Sequence, residues 1–176
     1  MKDLIKYILR FVLLIMIQHF LLYQVPPLHH TAIPVLYYLF ILWIPFRTGR
    51  ATLLMISFFL GISMDFFTKT PGMHAVACVL IGYLRPYLIN LLMSQEGVEF
   101  NYREPSAQSL GIIPYIAYAA ILTLLHHFCL FAIQAFQFGD MMYLIIKTSV
   151  SLLVSLVLIL IVEMIFHRKQ KFMTNT

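Results

Sequence analysis

Residues 143–166 cross a membrane thickness with only two charged side chains, Lys147 and Glu163. An apolar helix of about 20 residues spans a hydrocarbon core of about 30 Å. Earlier runs of the same kind lie at about residues 4–23, 51–68, 72–93 and 112–136. A shorter one, at about 31–46, is bracketed by Pro34 and Pro45 and expected to cross with little tilt or to be partly re-entrant. Of the 176 residues, 11% are charged and 61% are hydrophobic, and mean hydropathy is +0.89. Soluble domains carry about 25% charged residues, and so few charges cannot build a water-facing surface. The expected fold is all-α: a polytopic membrane protein, a six-helix bundle forming one integral membrane domain over residues 1–176.

The basic residues sort by side. With six crossings, Lys2, Lys6, Arg10, Arg47, Arg50, Arg85, Arg103, Arg168, Lys169 and Lys171 fall on the N-terminal side, and Lys69 and Lys147 on the other. That bias places both termini and the polar stretch 94–111 in the cytoplasm. The charged start resembles a signal peptide, but Gln24-Val25-Pro26-Pro27 follows the apolar run instead of a cleavage site, so a retained helix is expected. Because the positive charge is dispersed over helix ends, nucleic-acid binding is not expected. Arg47, Arg50, Arg103, Arg168, Lys169 and Lys171 form the expected cytoplasmic contact surface, near anionic headgroups. Cys78 and Cys129 both sit inside apolar runs, where they read as buried thiols rather than a disulfide framework.

One stretch departs from plain hydrocarbon. Ser57, Gly61 and Asp65 are spaced by four, so they share one helix face, and Thr70-Pro71-Gly72 then breaks the run. Small residues let a second helix approach closely. A carboxylate at membrane depth needs a partner or a task. Lys147, expected at similar depth on the sixth helix, is one candidate partner for Asp65, and Lys69, one turn away, is another. The plainer reading puts Asp65 at a helix end in the headgroup zone. Glu163 with Arg85, or with Arg10, forms a second possible pair, against separate snorkelling to the interface.

Other chemistry finds little support. His126 and His127 are adjacent, so on a helix they point about 100° apart and face one ion poorly. His29-His30 shares that weakness, and His74 and Cys78 lack a further ligand. No metal or cofactor is expected. There is no Gly-x-Ser-x-Gly elbow and no phosphate-binding glycine loop. Thr148, Ser149, Ser151 and Ser155 make the last helix locally polar, as residues that bond back to their own helix or join helices.

The pattern of Gly61 and Asp65, then Pro71-Gly72, then an apolar helix reaching Tyr83, resembles the rod shape-determining MreD family. Length, the basic-flanked first helix and the basic tail extend the resemblance over the whole chain; the direct Pro71-Gly72 junction departs from members with a residue between. The resemblance implies a non-enzymatic inner-membrane component of the bacterial elongation machinery, with a fold similar to the substrate-binding subunits of energy-coupling-factor transporters. Its implied partners are MreC first, then MreB, RodA and a class B penicillin-binding protein. The alternative is a vitamin-binding transporter subunit, but the first helix lacks the Ala-x-x-x-Ala face of those proteins. A lipid-acting enzyme would need an acid/base pair at shared depth, and the sequence offers none.

Overall fold

The computed structural model describes residues 2–24, 32–93, 103–138 and 141–166. Among them all regular structure is helical. Helix α1 covers Lys2–Met16 and continues as a wider π-helical stretch over Ile17–Leu22. The remaining helices are α2 (Leu39–Leu42), α3 (Arg50–Thr68), α4 (Met73–Met93), α5 (Ala107–Leu110), α6 (Ile112–Phe138) and α7 (Met141–Ile165). Five are long and apolar enough to cross a bilayer: α1 with its π-helical extension, α3, α4, α6 and α7. At 19 residues, α3 is about 28 Å long, close to the hydrocarbon thickness.

The short expected span at about 31–46 is not a continuous helix. Residues 32–36 are extended, α2 is a single turn, and the chain leaves it again before Pro45. Pro34 and Pro45 lack the N–H that a helix needs. Yet this is the most buried part of the molecule: Val35, Tyr37, Tyr38, Leu39, Ile41 and Leu42 are wholly inaccessible. Its early residues lie beside Gln18, whereas Phe40 packs on Phe11 and Trp43 lies under Arg10. The segment therefore runs antiparallel to α1 through the centre of the bundle. Irregular backbone at membrane depth is tolerated only where protein encloses it and satisfies its polar groups.

α3 and α4 form a tight hairpin. At its open end Gly82 packs against Ser57, where an added Cβ would stand 3.0 Å from the serine Cβ. Nearer the turn, a Cβ on Gly61 would fall 2.6 Å from the Ala75 nitrogen and 2.7 Å from the His74 carbonyl oxygen. Only glycine permits that approach. The small-residue face therefore packs against α4. α4 continues through Pro86 to Met93.

Candidate functional site

Asp65 organises the α3–α4 turn. The first N–H groups of a helix have no partner within it, and their dipoles favour a negative charge. The Asp65 carboxylate meets α4 there: Oδ1 accepts from the His74 N–H at 2.9 Å and Oδ2 from the Ala75 N–H at 3.0 Å. Thr70 Oγ1 donates to Oδ1 at 3.2 Å. The Asp65 carbonyl accepts the N–H groups of Lys69 and Thr70, closing the end of α3. Lys69 occupies the left-handed region at φ 56° and Gly72 at φ 83°, so the chain reverses within four residues. Pro71-Gly72 completes the turn and starts α4. Asp65 thus caps the neighbouring helix from across the hairpin, in the manner of an N-cap side chain.

Neither expected lysine pairs with it. Lys147 Nζ donates to Gln134 Oε1 at 2.9 Å and lies 4.6 Å from the centre of the Phe131 ring. Two backbone donors already serve the Asp65 carboxylate, and Lys147 finds its acceptor on α6. The second expected pairing is also replaced. Arg10 Nη1 reaches both oxygens of Glu104, at 3.1 and 3.0 Å, and Tyr7 donates to the same carboxylate at 2.7 Å. Glu163 accepts from the Ala107 N–H and the Tyr115 hydroxyl. Arg85 is buried, donating to the Tyr118 hydroxyl and the Ile44 carbonyl. These groups do not snorkel separately; each is tied to another element of the bundle.

A polar core that the sequence reading did not assemble holds the irregular segment. Gln18 is wholly buried in the π-helical continuation of α1. Its Oε1 accepts from the N–H groups of Leu36 and Tyr37, at 2.6 and 3.3 Å, and its Nε2 donates to the Pro34 carbonyl at 3.0 Å. Ser151 and Ser155 accept from the N–H groups of Ile33 and Val35, both at 3.0 Å. Ser151 and Ser155 of the last helix therefore serve another segment's backbone. Tyr37 Oη lies 2.9 Å from His74 Nδ1, 2.8 Å from His126 Nε2 and 3.6 Å from Cys78 Sγ. Tyr38 stacks on His126 at 4.3 Å and donates to Thr123. His127 turns away toward Ser155 and the Thr123 carbonyl, so the adjacent histidines diverge as helix geometry requires. Two signals in the sequence pointed here: a lone glutamine late in the first apolar run, and a second run short and broken by prolines.

The basic residues divide by end. Phe46 N–H donates to the Arg103 carbonyl, which brings Arg47, Arg50 and Arg103 to the end that holds Arg10 and Glu104. Arg50 lies 5.3 Å from the centre of the Tyr87 ring. Lys69 closes the opposite end of α3. Arg168, Lys169 and Lys171 lie outside the described residues. Among the described residues, no group of three or more His, Cys, Asp or Glu side chains is placed to hold a metal ion.

Fold and core together define a multi-pass helical membrane protein with a discontinuous segment buried at its centre. Comparison with family models, curated proteins and solved structures found no match.

Proposed function

We propose that the chain is a non-enzymatic component of the bacterial cell-elongation machinery, of the MreD kind. It would support peptidoglycan synthesis and cell shape through protein–protein contacts in the cytoplasmic (inner) membrane. The observation that carries this reading is the Asp65 turn. The residues behind the resemblance, Gly61, Asp65 and Pro71-Gly72, make one physical device: close helix approach, a capping carboxylate, and a reversal. A motif that builds a rigid hairpin suits a scaffold. The buried histidines, tyrosines and serines bond to each other and to backbone, which supports a structural use of the core.

In this reading both termini are cytoplasmic, because Arg10, Arg47, Arg50 and Arg103 gather at one end. That face presents the basic surface to MreC first, and to MreB, RodA or a class B penicillin-binding protein. The test uses a rod-shaped bacterium depleted of its own MreD. The tagged chain should restore rod shape and retain MreC, and Asp65→Leu should insert but lose both. Retention of a vitamin at one per chain, without MreC, would replace this reading with the transporter-subunit alternative. Labelling of a cysteine at position 100 from outside intact cells would refute the orientation.

A further inference from the structure

At the end of the bundle where α6 finishes and α7 begins, Lys147 is a half-buried cation inside a membrane-spanning helix. A cation there needs a partner or a task, and among the described residues it has no carboxylate partner. Its Nζ donates to Gln134 Oε1 at 2.9 Å and lies 4.6 Å from the centre of the Phe131 ring and 5.6 Å from that of Tyr143. An ammonium has three donors, so one acceptor leaves donors unused. The Gln134 amide nitrogen is beside it and, among the described residues, meets no acceptor. Together the two side chains offer several donors and one positive charge.

We infer that Lys147 and Gln134 bind the phosphate of an anionic phospholipid whose acyl chains lie along the exposed face of α7. Depth supports this occupant. With 25 residues, α7 is about 37 Å long, and it exceeds a hydrocarbon core of about 30 Å by about 4 Å at each end. Lys147 is six residues from Met141, so its backbone lies about 5 Å inside the core. Its side chain leans toward the start of the helix, where Tyr143 stands, and so raises the ammonium toward the level of lipid phosphates. A phosphate oxygen there accepts a charge-assisted hydrogen bond. Charge then decides among lipids. A zwitterionic headgroup brings an ammonium that Lys147 repels, whereas phosphatidylglycerol adds only hydroxyls. A carboxylate on another protein's helix would need close approach, which small residues provide. Apart from Ser149, the residues that α7 exposes nearby, Tyr143, Ile145, Ile146 and Leu153, are bulky.

The experiment reconstitutes the full-length protein in nanodiscs holding equal parts phosphatidylethanolamine, phosphatidylcholine and phosphatidylglycerol. The protein is then released into mild detergent, and retained lipid is counted by native mass spectrometry. Phosphatidylglycerol should be retained preferentially. Lys147→Gln should hold one phosphatidylglycerol fewer per chain, and Lys147→Arg should keep it. Gln134→Glu gives Lys147 a carboxylate within the bundle, so it should also lose that lipid, with a thermal midpoint no lower than that of the unmodified protein. A photo-reactive residue at position 146 should label phospholipid in cell membranes. Equal retention of all three lipids by the unmodified protein would overturn the proposal, whatever the variants do. So would an unchanged phosphatidylglycerol count in Lys147→Gln or Gln134→Glu, or labelling of another protein's helix from position 146 in place of lipid.

Discussion

Replacing Asp65 with leucine tests the hairpin most directly. The leucine leaves the N–H groups of His74 and Ala75 without their acceptor, in a region where Asp65 itself is 5% exposed. Each stranded donor costs about 1–3 kcal/mol, so the pair costs roughly 2–6 kcal/mol. Leucine recovers part of the carboxylate's desolvation, about 2.5–3.5 kcal/mol at a helix centre and less near a helix end. The donors win, and the net destabilisation is about 2 kcal/mol. For a chain of this size that is a fall of about 4–8 °C in thermal midpoint, followed in detergent by loss of the monodisperse peak. Asp65→Asn keeps one acceptor and should fall between. Membrane insertion should be unimpaired, because leucine inserts more readily than aspartate. The charge swap Asp65→Lys with Lys147→Asp should give no rescue, since Lys147 bonds Gln134 and not Asp65. A thermal midpoint unchanged or raised in Asp65→Leu would refute the capping argument, and rescue by the swap would restore the ion pair.

Three further outcomes follow from the packing. Gly61→Ala should already lower the thermal midpoint, because its Cβ meets α4 backbone at 2.6–2.7 Å, and Gly61→Leu should block the hairpin. Gln18→Leu should speed hydrogen exchange at the Leu36 and Tyr37 amides by at least about tenfold, the effect of losing about 1.4 kcal/mol of local protection; unchanged exchange would show that Gln18 does not hold the segment. Arg10→Leu removes the guanidinium from a Glu104 side chain that is 2% exposed and should cost about 3 kcal/mol, more than replacing Arg10 and Glu104 together with Leu and Gln.

The sequence exposed what hydropathy and spacing can carry. Five long helices, the buried Ser57–Gly61–Asp65 face and the turn at Pro71-Gly72 all follow from local pattern. The partners did not, because they depend on which helix lies opposite. Charge alone points Asp65 to lysines, yet backbone donors at a helix start are nearer and already oriented. The run at about 31–46 reads as a span because its hydropathy suits one, although hydropathy cannot distinguish a lipid-facing helix from an extended segment inside the bundle. What decides is the supply of hydrogen bonds from elsewhere, from Gln18, Ser151 and Ser155. Their meeting is a tertiary fact, and only the lone glutamine and the two prolines hint at it in the sequence.

The two ends of this device differ in kind, and the difference yields a last prediction. At Asp65 an acidic side chain serves backbone donors; at Arg85 a cation serves the Ile44 carbonyl and the Tyr118 hydroxyl, which itself donates to the Leu42 carbonyl. A stranded buried N–H is rare in folded proteins, whereas an under-satisfied carbonyl is less so. Arg85 is 2% exposed and its partners are neutral dipoles, so it keeps much of its desolvation penalty. Replacing a buried charge by an apolar group of similar volume is often neutral or stabilising. Arg85→Met should therefore shift the thermal midpoint by no more than about 2–4 °C, the equivalent of about 1 kcal/mol. It should still loosen residues 42–46, seen as faster exchange at the Phe46 amide that now bonds the Arg103 carbonyl. Arg85→Lys should do worse than methionine, since one ammonium keeps the charge but cannot span both acceptors. A loss in Arg85→Met as large as that in Asp65→Leu would mean that stranded carbonyls weigh as much here as stranded amides, and the asymmetry would fail.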